Sequence, residues 1–63
     1  MKYCLVTGAS SSLGSEIARV FASNNYNVIL GYYNNELNVI ELMNYIKDNY
    51  NVSVVIEKID ITK

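Results

Sequence analysis

"VTGASSSLGSE", Val6 to Glu16, sets small residues between an apolar run and a helical stripe. Six of its eleven residues are Gly or Ser: Gly8, Ser10, Ser11, Ser12, Gly14 and Ser15. Before it, "KYCLVT" (Lys2–Thr7) is nearly continuous in apolar residues. That is the pattern of a parallel strand buried on both faces. After it, Leu13, Ile17, Val20 and Phe21 recur at helical spacing, with the small Ala18 and Ala22 on the flanks. A strand that turns through Gly and Ser into a helix leaves main-chain N–H groups unpaired at the helix start. Those groups and the helix dipole suit an anion. Ser hydroxyls add donors and can cap the helix. The plainer reading of the same residues is capping alone.

Working outward, "SNNYN" (Ser23–Asn27) stops the first helix. "NVILGYY" (Asn27–Tyr33) is a second strand, followed by the Asn34–Asn35 pair. Leu37, Ile40, Met43 or Leu42, and Ile46 then predict a second helix reaching about Asp48. Glu36 and Glu41 lie towards its front and Lys47 near its end, as the dipole favours, while Asp48 opposes the trend. "NYN" (49–51) breaks it, and "VSVVIEKID" (Val52–Asp60) is the third strand. Strand, helix, strand, helix, strand with short connections predicts an α/β fold: a Rossmann-type βαβαβ half of a doubly wound parallel sheet with right-handed crossovers. Two helices cover one face of three strands. The other face would be bare and the first strand an open edge. Residues 1–63 therefore read as the N-terminal half of a larger domain, apparently truncated.

Composition narrows the function. A chain of 63 residues allows one small domain, and a domain of that size buries only about 60% of its unfolded surface. Five Lys and Arg stand against six Asp and Glu, with no basic cluster, so nucleic-acid binding has no electrostatic footprint. No apolar run approaches the ~20 residues of a membrane span, and Tyr3–Val6 is too short for a secretion signal. A soluble, cytoplasmic protein is expected. Cys4 is the single cysteine and His is absent, so neither an internal disulfide nor a zinc cluster is expected. Cys4 reads as core. Nine Asn residues cluster where turns are expected.

The loop's spacing excludes two common phosphate loops. Counted from Gly8, a Walker A sequence would need Gly at position 13 and Lys at 14, which are Leu13 and Gly14. G-x-G-x-x-G fails at Ser10. What stands is "TGASSSLG" at 7–14, which resembles the TGxxxGxG cofactor motif of the short-chain dehydrogenase/reductase family. The likeness extends through "LVTGAS", "LGSEIARVFA", "NVILGYYNN" and "IDIT" (59–62), and is similar above all to 3-oxoacyl-acyl-carrier-protein reductases. The resemblance implies that Gly8, Ser10, Ser11, Leu13 and Gly14 hold the pyrophosphate and adenosine ribose, with Thr7 bracing the turn. It implies that Asp60 accepts from the adenine amino group while Ile61 lies against the ring. Ser12 departs from the family, which has a glycine there.

Coenzyme choice turns on the end of the second strand, where a carboxylate would select NAD by pairing with the ribose 2′-OH. Gly31, Tyr32, Tyr33, Asn34 and Asn35 offer none before Glu36. NADP is expected over NAD, with Tyr32 and Asn34 beside the cofactor. Lys and Arg are absent from this stretch, leaving Ser11 and Asn34 to donate to a 2′-phosphate. The resemblance implies a reductase of small-molecule or acyl-carrier-bound carbonyls, homo-oligomeric at full length. Its Ser and Tyr-x-x-x-Lys catalytic groups would lie beyond position 63. Tyr45 and Lys47 have the wrong spacing, so no catalytic residue is assigned within the chain. A non-catalytic dinucleotide-binding module and an inactive remnant are the alternatives. Glu16 and Arg19 read as an ion pair on a solvated helix face.

Overall fold

A computed structural model describes residues 2–60. Along the chain run β1 (Tyr3–Val6), α1 (Ser12–Ser23), β2 (Asn27–Tyr32), α2 (Glu36–Asn49) and β3 (Val54–Lys58). The strands form one parallel sheet in the order β1-β2-β3. The expected α/β half-sheet is present. Each strand starts or stops within a residue or two of where its pattern does.

Alternation along the strands separates two faces. Val6, Val28, Leu30, Tyr32 and Val54 are buried and pack with Ala18 and Ala22 of α1 and Val39, Leu42 and Ile46 of α2. Cys4 and Ile56 pack partly buried at the margin. On the opposite face Leu5, Ile29 and Val55 lie in one cross-strand row. Leu5 is 59% exposed and Val55 50%. Tyr3 is exposed beside them. β1 is thus an edge strand with one bare face, not a strand buried on both faces. An uninterrupted apolar run reports the burial a strand is suited to, and here one layer of helices supplies only half of it.

The helices differ from their predicted stripes in an instructive way. In α1 the buried residues are Gly14, Ala18 and Ala22, while Leu13, Ile17 and Val20 are exposed. Small side chains let the helix backbone lie close to the sheet, so the large apolar residues turn to its flank. In α2 the buried line is Val39, Leu42 and Ile46, and Leu37 is 77% exposed. Of the predicted positions Leu42 and Ile46 hold, and Val39 replaces Leu37 and Ile40.

Two asparagines stabilise the connections. Asn25 and Asn35 take positive φ, 68° and 59°, which Asn tolerates better than most residues. Asn27 is only 2% exposed. Its amide donates to the Lys2 carbonyl (2.8 Å) and its Oδ1 accepts from the Ser53 amide (2.8 Å), joining the starts of all three strands. Among the described residues no helix is long and apolar enough to cross a membrane, and no cluster of His, Cys, Asp or Glu could hold a metal.

Candidate functional site

The loop between β1 and α1 is built by Gly8 and Ser11. Gly8 adopts φ +69°, a conformation that L side chains rarely take, and so curls the chain back. Ser11 then closes the curl. Its hydroxyl donates to the Gly8 carbonyl (2.7 Å), its amide donates to the same oxygen (3.0 Å), and its Oγ accepts from the Gly14 amide (3.1 Å). Ser11 is therefore the N-cap of α1. Gly14 is buried against the loop itself: an added Cβ would overlap the Gly8 carbonyl oxygen and lie 2.7 Å from its carbon. Sequence reasoning placed Gly14 against the sheet, whereas its tightest contact is Gly8. Thr7 is exposed, and among the described residues its hydroxyl makes no hydrogen bond, whereas Ser11 braces the turn.

This arrangement satisfies some amides and leaves others. Ala9 donates to the Gly31 carbonyl (2.9 Å), and Ser11, Gly14 and Ser15 are engaged within the turn. The amides of Ser10, Ser12 and Leu13 have no partner among the described residues. The first N–H groups of any helix lack intrahelical acceptors. Here they gather at one helix start, where the dipole is positive.

The loop sits at the C-terminal ends of the strands. Ala9 is tied to β2 through Gly31, and Ile59, just past β3, donates its amide to the Tyr32 carbonyl (2.7 Å). Loop 7–11, the exposed Asn34 and the exposed Asp60 therefore share one edge of the sheet. Leu13 presents its backbone to the loop while its side chain is 70% exposed. The Tyr32 side chain is 4% exposed and belongs to the core. Its phenol is held above the ordinary tyrosine range, first by burial, then by the nearby Glu36 carboxylate, and by Glu57. Ile61 lies outside the described residues.

Between α1 and α2 runs an open groove of about 360 Å³. It brings Ser10, Ser11, Ser12 and Ser15 together with Arg19 and Tyr45. Arg19 forms no ion pair with Glu16; its guanidinium lies 5.8 Å from the centre of the Tyr45 ring. Arg19 is exposed, as expected of a solvated helix face. Ser12, Ser15 and Arg19 recur at three and four residues and so share one side of α1, but that spacing does not bring Tyr45 of α2 opposite them.

A half Rossmann-type sheet with a capped glycine turn on its carboxyl edge defines the class. The family model for short chain dehydrogenases matches residues 2–63, and the chain belongs to that family. Among solved structures it is similar to a short-chain dehydrogenase from Sphingobium yanoikuyae in complex with NADPH. The identity is 27% and the TM-score 0.88, over all of this chain and 24% of that one. It shares its fold with the bulky-bulky ketone specific alcohol dehydrogenase from Comamonas testosteroni, at 24% identity and a TM-score of 0.90 over 26% of that chain. The chain thus spans about a quarter of the length of these structures. No curated protein matches it at a significant level.

Proposed function

We propose that this chain is the adenosine-binding segment of a short-chain oxidoreductase, and that the main-chain amides of Ser10, Ser12 and Leu13 hold the diphosphate of NADPH. The observation that carries the reading is that those three amides lack acceptors among the described residues, at a helix N-terminus shaped by Gly8, Ser11 and Gly14. Three clustered donors in the positive end of a dipole fit a diphosphate better than they fit water alone. Family membership and the NADPH complex of a similar structure support the same choice.

Asp60 would accept from the adenine amino group, Ile61 would lie against the ring, and Asn34 would face the ribose. NADPH is preferred to NADH because the end of β2 carries no carboxylate before Glu36. The bound nicotinamide supplies hydride, and the whole protein would reduce a carbonyl, of which a 3-oxoacyl thioester is the proposed type. The residues named here bind and orient, and no catalytic role is assigned to them.

Titration of the 63-residue chain against the fluorescence of reduced nicotinamide tests the reading. Saturable binding, tighter for NADPH than for NADH, is expected. Equal weakness for both removes the coenzyme assignment, and no binding of either removes the function.

A further inference from the structure

We propose that Gly31 is a positioning residue for adenine recognition: its bare α-carbon seats the Ile59 side chain, and that seat sets the place of Asp60. The inference rests on the dinucleotide-binding reading and adds a residue that touches no ligand.

Glycine weakens a strand interior, so its presence there wants a reason. The backbone does not supply one, because Gly8 is the only glycine with positive φ among the described residues. Space does. Gly31 is buried in β2, and a Cβ added to it would stand 2.7 Å from Ile59 Cδ1, 3.5 Å from Ile59 Cγ1 and 3.4 Å from the Val6 carbonyl oxygen. The Ile59 side chain already fills the volume a larger residue would need. Its main chain is fixed at the neighbouring position, by the 2.7 Å bond from the Ile59 amide to the Tyr32 carbonyl. Ile59 is thus held to two successive residues of β2, by a side chain over one and a main-chain bond to the other.

Asp60 follows directly, one Cα–Cα step of about 3.8 Å away. The glycine loop hangs from the same place, since the Ala9 amide donates to the Gly31 carbonyl (2.9 Å). One short piece of β2 therefore fixes the phosphate-binding turn and the carboxylate relative to each other. On this proposal a side chain at position 31 must displace the end of the Ile59 side chain, and the shift passes along the chain to Asp60 while the Ala9 bond stays in place.

The test is a size swap read by base selectivity. Wild-type chain, Gly31→Val, Ile59→Ala and the double variant are titrated with NADPH and with its hypoxanthine analogue. The analogue presents an oxygen where adenine has its amino group, so a seated Asp60 repels it. Wild type should prefer the adenine form about tenfold or more, the size of a hydrogen bond to a charged group. Each single variant should bring the ratio towards one. The double variant, in which the valine fills what the isoleucine leaves, should restore it. If Gly31→Val does not fold by circular dichroism, Gly31→Ala replaces it, with Ile59→Val as partner because it deletes the Cδ1 methyl. An unchanged ratio in the single variants, with only stability or overall affinity lost, overturns the proposal. So does a double variant that restores nothing. A wild type that binds both dinucleotides equally overturns this inference and leaves the phosphate site standing. A wild type that binds neither overturns both.

Discussion

Gly14 tolerates no side chain, because the Gly8 carbonyl occupies the place its Cβ would take. The contact is backbone, so nothing flexible can yield. Gly14→Ala should lower stability by about 1–3 kcal/mol and abolish NADPH binding, as thermal melting and fluorescence titration would show. Ser11→Ala removes a cap that both donates and accepts. It should cost about 1 kcal/mol, a fall of roughly 4–8 °C in melting temperature for a domain of this size. Tyr32 adds a pH dependence. Its phenol keeps its proton more tightly folded than unfolded. Stability from this source is complete below the ordinary tyrosine range and is lost as pH rises through the raised value. Urea unfolding followed as pH is raised past the ordinary tyrosine value of about 10 should show that loss in the native chain. Tyr32→Phe should flatten it; an equally steep loss in that variant would assign it elsewhere.

At the scale of elements, the order and type of all five were legible because strand and helix periods alternate cleanly. The inward faces were less so. Reading large apolar residues as the buried stripe placed Leu13, Ile17 and Val20 inside α1, yet Gly14, Ala18 and Ala22 face the loop and sheet. A single sequence shows which residues are apolar but not how near two backbones approach, and close approach selects small residues. The turn shows the same division. Its identity was readable from TGASSSLG, and Gly8 takes the conformation the tight turn required. The role of Ser11 as a two-way clasp was not, because it depends on where the Gly8 carbonyl points. Arg19 meets Tyr45 across the groove only because α1 and α2 lie side by side. Such pairings depend on tertiary placement, which spacing within one helix does not contain.

For the whole molecule, the difference between the two sheet faces decides behaviour. Leu30 is fully enclosed on the helix side, so Leu30→Ala should cost about 2–5 kcal/mol. Val55 lies half exposed on the bare side, and Val55→Thr should change stability by no more than about 0.5 kcal/mol. The threonine should also reduce binding of an apolar dye, since it interrupts the Leu5–Ile29–Val55 row. Equal costs for the two substitutions would mean that the sheet is covered on both faces. The central claim concerns neither face but the sheet's carboxyl edge, where unpaired amides meet a helix start. The most direct measurement is titration of the ¹⁵N-labelled chain with NADPH, followed amide by amide. Large, saturable shifts at Ser10, Ser12 and Leu13 are expected, with the amides of the bare face unmoved. Saturable shifts confined to other residues, with these three silent, would contradict it.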